Sequence, residues 1–121
     1  MDVLEVIKQQ VEGNAVVIYM KGTPDMPQCG FSMRAAKAMS DTGVPFAYVN
    51  ILTEPAIFEN LPRYADWPTF PQIYIDGDLV GGCDITVDLA TSGDLKSMME
   101  KAADKVQEDK TEDADSGEKS S

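Results

Sequence analysis

Apolar positions along the chain alternate between two periodicities. Val3, Leu4, Ile7 and Val11 share one face at helical spacing, with Asp2 ahead of them as a cap and Gly13-Asn14 behind as a stop. Residues 15–20 are an unbroken apolar run rich in β-branched side chains, the mark of a strand buried on both faces. From about Cys29 to Thr42 the spacing is helical again, with Gly43 as its stop. Phe46 to Ile51 reads as a second apolar strand. Thr53-Glu-Pro-Ala56 predicts a helix start, with Thr53 as N-cap and the proline in the first turn, and the helix runs to about Tyr64.

Beyond that point prolines forbid helix in Trp67-Pro-Thr-Phe-Pro71. Gln72 to Ile75 and Leu79 to Gly81 are short strands around Asp76-Gly77, a strong two-residue hairpin signal. Gly81-Gly82-Cys83-Asp84 is a turn. Asp84 or Thr86 then caps a helix that breaks near Ser92-Gly93 and reaches about residue 105. The order is α-β-α-β-α-β-β-α. Its β-α-β half demands a parallel pair with a right-handed crossover, and its hairpin demands an antiparallel pair. A four-stranded mixed sheet flanked by helices satisfies both, in an α/β domain over residues 1–106. Residues 107–121 hold six acids, two lysines and no large apolar side chain, so they are expected to form a disordered acidic tail.

Composition narrows the chemistry more than the fold. The chain has 121 residues, room for one domain. A net charge of -11 disfavours nucleic acid and anionic membranes as partners. There is no histidine, which removes Cys-His and Ser-His catalysis, histidine zinc sites and histidine pH switches. Two cysteines, Cys29 and Cys83, cannot form a four-ligand zinc site alone. No signal-peptide pattern opens the chain and no apolar run is long enough to span a membrane, so the cytoplasm is the expected location. In a reducing compartment a cysteine in a loop is more often reactive or metal-binding than structural.

Cys29-Gly-Phe-Ser32 sits at a predicted helix start after a strand and a loop punctuated by Gly and Pro. Unpaired N–H groups there stabilise a thiolate, and Lys21 adds a positive charge nearby. The thiolate is the nucleophile of disulfide exchange and the form that binds iron or zinc. Ser32 stands where a second cysteine would close an internal disulfide. Cys29 can therefore attack a disulfide but cannot resolve the product from within the motif.

These residues, with Tyr19-Met-Lys-Gly-Thr-Pro24, Trp67-Pro-Thr-Phe-Pro-Gln72 and Gly81-Gly-Cys-Asp84, make the chain resemble a monothiol, CGFS-type glutaredoxin of the single-domain bacterial or mitochondrial kind. The likeness spans about residues 2–105. It implies a thioredoxin-like fold, glutathione binding, and a [2Fe-2S] cluster bridging a homodimer. Each protomer would give its Cys29 as iron ligand, and two glutathione thiols would complete the four sulfurs. It further implies a BolA-like partner, apo iron–sulfur proteins as recipients, and at most weak oxidoreductase activity. The alternative function is glutathione-dependent deglutathionylation through Cys29, for which one thiol and a second glutathione suffice.

The same resemblance assigns the groove. Phe70, before a cis-Pro71, would pair its backbone with glutathione, with Thr69 beside it. Lys21 would meet the glycine-end carboxylate. The backbone of Cys83 would touch the γ-glutamyl end, and Asp84 would take its ammonium, cap a helix, or do both. Family members carry an arginine on the third helix that grips the glycine-end carboxylate. The aligned residue here is Phe58, and Arg63 is expected to substitute for it. Trp67 reads equally as a core anchor or an interface residue. Pairing of Cys29 with Cys83 on oxidation is left open by the sequence.

Overall fold

A computed structural model describes residues 2–117, with side chains through residue 105. Its elements follow the expected order: α1 Val3–Gly13, β1 Val16–Met20, α2 Gly30–Ser40, β2 Ala47–Asn50, α3 Pro55–Ala65, β3 Gln72–Ile75, β4 Asp78–Gly81, α4 Cys83–Ser92 and α5 Asp94–Gly117. A single 3-10 turn, Ile51–Thr53, joins β2 to α3. The sheet order is β2-β1-β3-β4. β1 and β2 are parallel, with Ile18 opposite Tyr48, while β3 runs antiparallel to both β1 and β4.

All five residues of β1 are buried, because the strand lies at the centre with helices on both faces. Its side chains alternate between two cores, as a period of two requires. Val16, Ile18 and Met20 pack with Ala35 and Met39 of α2 and Leu95 and Met99 of α5. Val17 and Tyr19 pack with Ile7 and Val11 of α1 and Ile57 and Leu61 of α3. The Asp76-Gly77 hairpin forms as expected, both residues having positive φ (55° and 83°), the geometry of a type I′ turn. Asp2 caps α1 by accepting from the Leu4 N–H at 3.3 Å.

Three boundaries differ from expectation. Thr53 is not the cap of α3: its hydroxyl donates back to the Asn50 carbonyl at 3.0 Å within the 3-10 turn, and Glu54 takes the cap position. Neither Asp84 nor Thr86 caps α4: Gly82 does, so Cys83 and Asp84 lie in the first turn. The last helix, separated from α4 at Gly93 (φ 88°), continues past residue 105 to Gly117. Residues 118–121 of the expected tail lie outside the described residues. No described helix is long and apolar enough to cross a membrane.

Candidate functional site

The thiol stands where the sheet hands over to α2. β1 ends at Met20 and the chain turns through Gly22, whose φ is 94°. The Gly22 N–H donates to Asn50 Oδ1 at 3.0 Å, and the Gln28 N–H returns to the Lys21 carbonyl at 2.9 Å. This closed loop delivers Cys29 to the N-cap position of α2, where its side chain makes no capping bond and stays half-buried. Ser32, in the first turn, is fully buried and its Oγ accepts from the Lys21 N–H at 3.1 Å. The hydroxyl thus ties strand to helix beneath the thiol.

The Cys29 thiol is held below its ordinary pKa of 9.0. The Ser32 backbone N–H is the largest cause, with the Phe31 N–H, the Ser32 hydroxyl and the Lys21 ammonium adding to it against some desolvation. Each lowering contribution favours the charged form, so the thiolate persists to a lower pH than in a free cysteine. Alkylation by iodoacetamide should therefore show a midpoint below 9.0. Ser32→Ala should move it upward only partway, because the backbone donors remain. A Ser32→Ala midpoint equal to that of an unfolded peptide would show that the hydroxyl, not the helix start, controls the thiol.

Beside the thiol lies a groove of about 400 Å³, lined by Phe31, Trp67, Thr69, Phe70, Pro71, Gly82, Cys83, Asp84 and Ile85. A second hollow, of about 350 Å³, surrounds Cys29 itself with Gly30, Phe31, Met33 and Arg34. Phe31 belongs to both. The groove is mostly apolar with a few polar groups at its ends, the usual make-up of a small-ligand site. The Phe70–Pro71 peptide bond is cis, as the motif implied. Gly82 packs closely against this wall: a Cβ there would stand 3.2 Å from the Pro71 carbonyl, a tight contact, and 3.6 Å from Trp67 Nε1. Trp67 is thereby placed in the groove wall, with its indole N–H buried and unpaired.

Four of the expected site residues, Thr69, Phe70, Cys83 and Asp84, converge on this groove. Lys21 reaches its edge indirectly: its Nζ lies 5.8 Å from the Phe58 ring, which stacks edge-on against Phe70 at 5.3 Å. Arg63 stands elsewhere. α3 buries Ile57 and Leu61, which turns position 63 to solvent, where Nη1 donates to Asn60 Oδ1 at 2.9 Å. It is absent from the groove lining, and the Phe58 ring stands between Lys21 and Phe70.

Two site residues escaped the sequence reading. Arg34, on the exposed side of α2, donates to Cys83 Sγ at 3.4 Å and lies 3.7 Å from Asp84 Oδ1. Its three-residue spacing from Phe31 was the available signal, since that spacing puts both on one helix face. Gln72 is fully buried in β3. Its amide donates to the carbonyls of Trp67 (2.9 Å) and Thr69 (3.2 Å) and accepts from the Tyr74 hydroxyl (2.8 Å). It therefore braces the groove wall from behind. Gln72→Leu should cost about 2–4 kcal/mol, because two carbonyls and a hydroxyl lose their buried partner. Urea unfolding should show a lower midpoint at unchanged slope. A loss under about 1 kcal/mol would mean that water replaces the amide.

Comparison with known proteins agrees with this geometry. Residues 16–80 match the family described as Glutaredoxin. The chain is 50% identical over 107 residues to Glutaredoxin 4 of Buchnera aphidicola subsp. Acyrthosiphon pisum, covering 88% of this chain and 99% of that one. The solution structure of reduced poplar apo GrxS14 superposes with a TM-score of 0.71 at 44% identity, over 84% of this chain and 93% of that one. A buckwheat glutaredoxin–glutathione complex superposes with a TM-score of 0.72 at 25% identity, over 83% and 89%. With a thiol at the head of α2 beside a groove walled by a cis-proline strand and a glycine-led helix, the chain belongs to the glutaredoxin family.

Proposed function

We propose that this glutaredoxin binds glutathione in the groove and carries a [2Fe-2S] cluster between two protomers for delivery to apo-proteins in the cytoplasm. The observation that carries the reading is the thiol itself: Cys29 is thiolate-prone, half-buried and alone in its motif, with a ligand-sized groove alongside. Four sulfurs are needed for the cluster. The described residues contain no group of three or more His, Cys, Asp or Glu that could hold a metal. One Cys29 with one glutathione thiol from each of two protomers supplies the count. The similar buckwheat protein, solved as a glutathione complex, supports the groove as the tripeptide site.

Within this reading the ligand lies along Phe70, its cysteine thiol beside Cys29. Its glycine carboxylate is directed toward Lys21. Its γ-glutamyl end meets the first N–H groups of α4 and Asp84. Phe31 and Met33, both more than half exposed, form an apolar rim around the thiol. Such a rim suits a second protomer or a BolA-like partner better than open solvent.

The test is anaerobic reconstitution with iron, sulfide and glutathione, followed by visible absorption, circular dichroism and solution mass. A [2Fe-2S] spectrum that appears with a dimer mass, and is absent without glutathione, is expected. A colourless monomer under all conditions would overturn the carrier reading and leave thiol exchange through Cys29.

A further inference from the structure

Arg34 stands at the Asp84 end of the groove with no role in the reading above. Its guanidinium touches three things at once: Cys83 Sγ at 3.4 Å, Asp84 Oδ1 at 3.7 Å, and the Phe31 ring, whose centroid is 5.5 Å away. None of these is a strong partner. Thiol sulfur is a poor acceptor. The ion pair is long, and its side chains are 55% and 91% exposed, a setting in which such pairs contribute little. The aromatic face holds the guanidinium in place at small cost and leaves its edge free. Arg34 is thus a cation parked at the mouth of the site.

The ligand's own charges say what it is parked for. Glutathione carries an ammonium and a carboxylate on the same α-carbon at its γ-glutamyl end, and a second carboxylate at its glycine end. Lys21 flanks the groove at the Phe58–Phe70 side, and Arg34 flanks it at the Cys83–Asp84 side. The chain has a net charge of -11, so each ligand carboxylate needs a local cation. When the ligand's ammonium takes Asp84, the guanidinium is released next to the carboxylate borne by the same carbon. We propose that Arg34 is a specificity-determining residue that exchanges Asp84 for the γ-glutamyl α-carboxylate, joining the N–H groups of α4 in gripping it. The planar, two-pronged guanidinium suits that role better than lysine does. The inference rests on the glutathione reading of the groove.

The experiment is an amide-shift NMR titration of the full chain with S-methylglutathione, which cannot react with Cys29. A second titration uses the analogue whose γ-glutamyl residue is replaced by 4-aminobutyryl, which keeps the amine and lacks the α-carboxylate. Arg34→Gln should weaken S-methylglutathione about tenfold, the size of a lost charge-assisted contact at a partly exposed site. Arg34→Lys should recover part of that loss. Against the analogue, wild type and Arg34→Gln should bind equally weakly. An equal loss on both ligands, no loss on either, tighter binding by Arg34→Gln, or a larger loss from Arg63→Gln would each overturn the proposal. Failure of wild type to bind S-methylglutathione would overturn the groove assignment itself and the proposal with it.

Discussion

Cys29→Ser should abolish thiol chemistry and cluster assembly while leaving the protein as stable as before, or more so. The two effects have separate physical origins. Serine cannot ionise near neutral pH, so the anion that disulfide exchange and the proposed iron ligation both need disappears. At the same position the backbone is extended (φ -152°, ψ 136°) and the cysteine side chain makes no capping bond to α2. Serine is among the preferred residues there, and its oxygen can accept from an N–H in the first turn, a contact worth up to about 1 kcal/mol. The variant should show no cluster absorbance after reconstitution and no alkylation at Cys29, with a melting temperature unchanged or raised by a few degrees. Retained cluster absorbance would show that Cys83 holds iron. A lowered melting temperature would show that the thiol packs against its surroundings more than its half-buried state suggests.

Local signals accounted for most of the architecture. The apolar run at 15–20 had to be a central strand, because only a two-sided core hides five consecutive large side chains. Asp76-Gly77 had to be the hairpin, because both positions needed positive φ. The break at Ser92-Gly93 was visible as a glycine that a helix interior would not favour. Errors gathered at helix starts. Thr53 and Asp84 have good capping side chains, yet the caps fall one position later and two positions earlier, at Glu54 and Gly82. A cap is chosen by the geometry of the incoming loop as well as by side-chain preference, and that geometry is set by contacts distant in sequence.

The site divides in the same way. Cys29 announced itself through its position after a strand, and the groove residues Thr69, Phe70, Cys83 and Asp84 through motif resemblance. Arg34 did not, because its partners lie 49 and 50 residues away on α4, and its spacing from Phe31 marks a shared helix face without saying what that face meets. Arg63 drew attention by being one of two arginines, but its place on α3 is decided by which face buries Ile57 and Leu61. Gln72 reads as an ordinary first strand residue until the loop it braces is seen folded over it.

Gly22→Ala should be the most damaging glycine-to-alanine change among the described residues, and it should strike both stability and the thiol. Two costs combine at this position. The first is conformational: a φ of 94° is open to glycine and strained for alanine. The second is steric. The added Cβ would stand 2.5 Å from the Met26 carbonyl oxygen and 2.7 Å from the Gln28 nitrogen, both of them backbone atoms. Flexible side-chain ends could swing away from such a contact, but a backbone closed by the Gln28–Lys21 hydrogen bond can move only by opening the loop. Gly43→Ala separates the two costs. Its φ is 78°, similarly positive, but nothing lies within 4 Å of a Cβ there. That variant should lose only the conformational part, about 1–2 kcal/mol. Gly22→Ala should lose clearly more, and its loss should be accompanied by a change that Gly43→Ala lacks. Opening the loop moves Cys29 relative to the first-turn N–H groups of α2, so its alkylation midpoint should rise toward 9.0, the ordinary cysteine value. Chemical denaturation and pH-dependent alkylation of the two variants read these effects independently. Equal losses in both, with the midpoint of Gly22→Ala unmoved, would mean that the loop yields without carrying the thiol with it.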